Sequence, residues 1–171
     1  MENITIIDSE YKKWVKDLAV RYRTSQIKAA YKVNQEALCF YWALGHDIVS
    51  LKAEQKWGGK LLQKLSIDLK KELPEVDSFS PTNLLYMKNF YLLYHEITPQ
   101  LEEHFNTSHE ITPQLGEQLP VNLFLVPWGH HKLRIDKFKN NREKALFYAH
   151  KTIENGWSRS MLLNFLDTNL Y

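Results

Sequence analysis

The chain has 171 residues, 44% of them hydrophobic and 25% charged, with a net charge of +2 and one cysteine. That balance fits a single globular domain with a real core, and no apolar run approaches the ~20 residues needed to span a bilayer. Cys39 cannot form an internal disulfide and sits among Ala37, Leu38 and Phe40, which reads as a small buried hydrophobe in a reducing compartment. The opening MENITIIDSE lacks a basic stretch followed by an apolar one, so no secretory signal is expected, and a cytoplasmic location is.

Charge is spread unevenly. Segments 1–51, 52–94, 95–126, 127–151 and 152–171 carry +1, +2, −5, +5 and −1. Outside the acidic segment the chain is +7, a balance compatible with a polyanion partner.

Residues 9 to about 55 read as one long helix or two nearly continuous ones. Tyr11, Trp14, Val15, Leu18 and Tyr22 fall on one face. After a polar middle, Val33, Ala37, Phe40, Tyr41, Leu44, Ile48 and Leu51 form a second stripe. Steps of three and four predict an amphipathic helix packed along its whole length, and the same stripe also fits a dimerisation surface. Gly45 inside the pattern predicts a close helix crossing or a kink.

Trp57-Gly58-Gly59 breaks that pattern. Lys52, Lys56, Lys60 and Lys64 recur every four residues, as a phosphate-contacting ridge or a solvated face would. Leu61, Leu62, Leu65, Leu69 and Leu73 then give a helix with one apolar face, ended by Pro74 and a turn at Glu75-Val76-Asp77-Ser78. Ser80 is a good N-cap, and Pro81 occupies the first helical position, where a missing N–H costs nothing. Leu84, Leu85, Met87, Phe90, Tyr91 and Tyr94 carry the next helix's apolar side. Helix, corner, capped helix is the outline of a helix-turn-helix, whose second helix enters the DNA major groove; core packing alone produces the same outline.

Residues 95–118 hold a tandem repeat: His95-Glu96-Ile97-Thr98-Pro99-Gln100-Leu101 returns unchanged at His109 to Leu115. With five Glu and no Lys or Arg, the segment reads as an acidic, duplicated linker insertion in an otherwise single helical domain over 1–171. His95, His104, His109, Glu96 and Glu110 have metal-ligating atoms but no fixed geometry on such a linker, so no metal and no cofactor are expected.

Leu119 to Val126 is a short apolar stretch, and Pro127-Trp128-Gly129-His130-His131 leads into a helix through Leu133, Ile135 and Phe138. One histidine is expected to pack with Trp128 and the other to face solvent. Asn140 or Asn141 can cap a helix with Ala145, Leu146, Tyr148, Ala149 and Ile153 inward, ended by Gly156. Ser158 caps a last helix through Met161, Leu162, Phe165 and Leu166. This second corner, Trp157-Ser158 followed by Leu162-Leu163, repeats Phe79-Ser80 followed by Leu84-Leu85; an aromatic before each cap can staple to the fourth helical position.

Several of these strings occur in the order of a known family: Tyr41-Trp42-Ala43-Leu44-Gly45, Trp57-Gly58-Gly59-Lys60-Leu61 with Leu65-Ser66, Phe79-Ser80 with Asn83-Leu84 and Met87, Phe90-Tyr91, Pro127-Trp128-Gly129-His130-His131, Phe147-Tyr148 and Gly156-Trp157-Ser158-Arg159. From about residue 10 onward the chain resembles the N-terminal domain of the YhcG family of predicted bacterial nucleases. The resemblance implies a helical, winged-helix-like domain of the kind that usually precedes a PD-(D/E)xK nuclease domain, and a module that directs a nuclease or restriction-type partner to DNA. Pro81, Thr82, Lys88 and Asn89 stand where the family commonly has arginines. The nuclease signature itself is not expected here: Asp68-Leu69-Lys70, Glu10-Tyr11-Lys12 and Glu54-Gln55-Lys56 lie in helical patterns, whereas that chemistry needs carboxylates held around Mg²⁺ on strands.

The expected protein is therefore all-α, with a long N-terminal helix and helix-turn-helix units, non-catalytic, and a binder of double-stranded DNA. Ser80, Thr82, Asn83, Lys88 and Asn89 would face base edges or phosphates. Lys60, Lys64, Arg134, Lys137, Arg142 and Arg159 would position the backbone. The alternative is a protein–protein module, homodimeric or docked to a nuclease or restriction subunit, in which aromatics anchor the interface. No membrane partner is expected.

Overall fold

A computed structural model describes residues 9–95, 123–139 and 141–171. The long helix is present: α1 spans Ser9–Ser50 without a break, about 63 Å at 1.5 Å per residue. It stops where Lys52 turns left-handed at φ 48°. After a short α2 (Ala53–Trp57), Gly58 at φ 94° closes the turn, its N–H donating to the Glu54 carbonyl. These two breaks divide the expected lysine ridge. α3 (Leu61–Glu72) follows, then α4 (Pro81–Tyr94), a 3₁₀ turn (Leu123–Leu125), α5 (Trp128–Phe138), α6 (Arg142–Asn155) and α7 (Arg159–Thr168). The described residues are all-α and include no strand, and therefore no β-wing.

α4 is the centre of the molecule. Its sequence, PTNLLYMKNFYLLY, has one charge in fourteen residues, and a helix apolar on nearly every side belongs in a core. Leu84, Met87, Phe90, Tyr91, Leu93 and Tyr94 are all buried. α1 crosses it at Gly45, where an added Cβ would lie 2.4 Å from the Met87 carbonyl oxygen. The glycine is there for close approach. Trp42 fills the adjoining space, its ring 5.4 Å from Phe90 and 5.1 Å from Tyr91. Phe124, Ile135, Phe138, Ala145, Tyr148, Leu162 and Leu166 complete the core from the C-terminal half.

Capping holds the two corners. Ser80 Oγ accepts from Asn83 N at 3.2 Å and Ser158 Oγ from Met161 N at 3.3 Å, while Asn141 caps α6 through Lys144 N. Gly156 ends α6 at φ 61°, the left-handed position glycine adopts without a Cβ penalty. The aromatic before each cap packs, on different partners: Phe79 on Phe40 of α1 at 5.8 Å, Trp157 stacked on Phe165 at 4.2 Å. Cys39 is buried, as its setting predicts, and burial pushes its thiol up to about 12, with Glu36 adding to the rise.

Two expectations are corrected. α1 does not pack along its whole length: every residue from 9 to 33 is exposed, and burial begins only near Asn34. Asn34 Nδ2 donates to the Phe124 and Val126 carbonyls at the point where helix meets head. Residues 9–33 thus form an arm about 37 Å long. α3, for its part, buries none of its leucines completely; among the described elements α4 is its main neighbour, with α2 touching it less. The tandem repeat falls outside the described residues apart from His95, which stacks on Tyr91 at 5.1 Å.

Candidate nucleic-acid interface

The helix expected to read bases has its polar flank closed. Asn83 sits in the first turn of α4, held by the Ser80 cap. Its Nδ2 donates to the Ser78 carbonyl at 2.6 Å, and its Oδ1 accepts from the Trp128 indole N–H at 2.9 Å. Both ends of the amide are engaged within the fold, so a bidentate contact with adenine would require breaking them. Lys88 is largely covered and ion-paired with Glu54 of α2. Tyr86, on a different side of the helix from Lys88, donates to both Asp136 oxygens at 2.8 and 2.9 Å; that bond, then partial burial and the carboxylate charge, raise its pKa. Asn83 and Lys88 are therefore withdrawn as DNA contacts. Asn89 is half-buried on the same helix. Ser80, as the cap, has its hydroxyl in use, and Thr82 beside it is exposed.

Arg134 is the second correction. It is wholly buried, and its guanidinium donates to the His130 carbonyl (3.3 Å), the Ala145 carbonyl (3.4 Å) and His131 Nδ1 (2.9 Å). No phosphate can reach it. Because Arg has only donors, His131 Nδ1 must accept, which leaves the proton on Nε2, donating to the Leu123 carbonyl at 2.9 Å. Burial, then the Arg134 charge, hold His131 far below the ordinary histidine pKa. His130 is buried too. Its Nε2–H donates to the Trp157 carbonyl at 2.9 Å, and burial again lowers its pKa. Neither histidine faces solvent, contrary to the expected split between them. Together His130, His131 and Arg134 lock α5 to the 3₁₀ turn, to α6 and to the second corner.

The remaining cations lie outside. Lys60 and Lys64 are exposed, and Arg159 is exposed with its stem against Gly129. Lys137 pairs with Asp167 at 3.4 Å across exposed surface, a contact of small energy. Arg142 is half-buried, and its Nε donates to the Leu93 carbonyl. Asp68 and Lys70 of the nuclease-like string sit on α3 beside Lys71 (3.6 Å) and Asp77 (2.5 Å). Among the described residues no group of three or more His, Cys, Asp or Glu is placed to hold a metal; His104, His109, Glu96 and Glu110 lie outside them.

The arm carries the longest run of exposed cations without ion pairs among the described residues. Residues 9–33 contain seven Lys or Arg (Lys12, Lys13, Lys16, Arg21, Arg23, Lys28, Lys32) against Glu10 and Asp17. All seven cations are exposed, and none is ion-paired among the described residues. Charge counted over 1–51 hid this surface, because Glu2, Asp8, Glu36 and Asp47 offset it. Counting over the exposed helix alone reveals it.

A head of capped helices around α4, with one helix projecting from it, defines an all-α domain with no strand in its described parts. The model of the DUF1016 N-terminal domain matches residues 17–171, and the chain belongs to that family, the YhcG family, through this domain. No curated protein and no solved structure matches it. No helix among the described residues is long and apolar enough to cross a membrane.

Proposed function

We propose that this domain directs a nuclease or restriction-type partner to double-stranded DNA, and that the arm of α1, rather than the flank of α4, makes the main phosphate contacts. One observation carries the proposal: seven exposed cations on 25 residues of helix, with two acids and no ion pair among the described residues. The major groove is wide enough for an α-helix, and an arm of about 37 Å matches roughly one turn of duplex. Lysines and arginines on such a rod release counterions when they meet phosphates, which gives affinity without sequence preference. Lys60, Lys64, Thr82, Lys137 and Arg159 remain as supplementary contacts on the head. Arg142 and Asn89, half-buried, contribute less.

The test is duplex binding by fluorescence anisotropy across a range of salt. With four or more phosphates engaged, log affinity falls against log salt with a slope near −4 or steeper. A flat response defeats the proposal. The protein–protein reading is favoured by a different feature of the same arm, its exposed apolar side, and is the one left standing if DNA binding is absent.

A further inference from the structure

Where α1 leaves the head, two open grooves of about 350 Å³ each share Tyr31, Leu125 and Pro127. Ile27 lines the one on the arm's side. Ile153 and Trp157 carry the other across α6 to the second corner. Clefts of this size, walled by aromatic and aliphatic side chains, are the usual form of a binding site. Tyr31 is 54% and Ile153 39% exposed, so solvent reaches both.

Charge identifies what the junction would hold. From Ile27 toward the N-terminus, the same face of α1 carries Arg23, Val20, Lys16 and Lys12 at steps of three and four. Arg23, Lys16 and Lys12 stand about 6, 17 and 23 Å from Ile27 along the helix axis. All three are exposed, and none is ion-paired among the described residues. The arm's two acids, Glu10 and Asp17, lie about a quarter-turn away from that face. Glu154, beside Ile153, is paired with Lys151 at 2.7 Å. An apolar groove that continues onto a row of cations is complementary to a chain with an apolar anchor followed by carboxylates.

We infer that this junction docks an acidic peptide segment of a partner protein. A large apolar side chain sits against Tyr31 and Ile153, and carboxylates reach along Arg23 and Lys16. Roughly five extended residues span the distance from Ile27 to Lys16. Exposed charge pairs are worth little each, so the anchor supplies most of the affinity while the charges select the partner and speed its encounter. The assignment holds whether or not the arm binds DNA. Where it does, peptide and duplex compete for Lys16 and Arg23, whereas Tyr31 and Ile153 serve the peptide alone.

The test is selection of a random peptide library, displayed on phage, against the immobilised full chain. Recovered sequences should combine Asp or Glu with a large apolar residue a few positions away. Tyr31→Ala and Ile153→Ser should each weaken a recovered peptide by about tenfold in fluorescence anisotropy and leave any duplex binding as it is. Thermal unfolding checks that each variant is folded. The Lys16→Ala, Arg23→Ala double variant should also weaken it by about tenfold, each exposed pair contributing up to about fivefold, and should select peptides without the acidic bias. Recovered peptides lacking either the acid or the apolar residue, no enrichment at all, or affinity untouched in Tyr31→Ala and Ile153→Ser overturns the inference. So does enrichment that appears only after Glu96, Glu102, Glu103, Glu110 and Glu117 are changed to Gln, which would make the chain's own acidic segment the occupant.

Discussion

The arm of α1 and the helix α4 are both rich in aromatic side chains, yet every residue of one is exposed and six residues of the other are buried in the core. Charge density separates them. Residues 9–33 carry nine charged side chains, whereas α4 carries Lys88 alone. Lys88 is accommodated only because Glu54 meets it at the core's edge. Burying the arm's seven cations would demand seven such partners, at several kcal/mol for each ion left without one. A capped corner thus marks where a helix begins, and the charges that follow decide whether it turns inward.

Substitutions can break this contrast, and their effects on stability fall in order. Gly45→Val should be the most damaging, about 3 kcal/mol or more, because its Cβ would collide with the Met87 backbone; thermal or urea unfolding measures it. Arg134→Ala should cost about 3 kcal/mol, leaving His131 Nδ1 and two carbonyls without their donor. If Arg134 instead served DNA, its loss would lower affinity while leaving unfolding unchanged. Acid should destabilise the head. The folded pKa of His131 lies below its unfolded value, so the unfolded chain takes up more protons as pH drops below about 6.5, and stability declines by up to ~1.4 kcal/mol per pH unit. Stability loss on raising the pH through that window would contradict the assignment.

Smaller effects sharpen the contrast. Ser80→Ala and Ser158→Ala should each cost about 1 kcal/mol through the lost cap. Tyr94→Phe should be neutral or stabilise by up to about 1 kcal/mol, since the buried Tyr94 hydroxyl has no hydrogen-bond partner among the described residues. Lys13→Ala, Lys16→Ala and Arg23→Ala should each move stability by less than about 0.5 kcal/mol, as expected of exposed side chains away from the head.

Local signals in the sequence were dependable. The caps at Ser80, Asn141 and Ser158, the left-handed Gly156, the close crossing at Gly45 and the buried Cys39 each follow from chemistry confined to a turn or two. Coverage was not legible. Periodicity shows that Val15, Leu18 and Tyr22 share a face with one another, but not whether anything lies against it. The same blindness made Arg134 look like one more cation in a basic run, although an arginine three residues after a histidine on a helix can turn inward and bond it. The flank of α4 carried a readable warning, a lone lysine among apolar residues, which the helix-turn-helix outline overshadowed.

The central claim is that cations on the arm, and not the polar side of α4, meet the DNA backbone. The direct test is the salt dependence of duplex binding, measured side by side for the Lys13→Ala, Lys16→Ala, Arg23→Ala triple variant and for Lys88→Ala. The triple variant should lower the slope by about 2–3 while Lys88→Ala leaves it unchanged. A slope lost with Lys88 and retained in the triple variant would contradict the account.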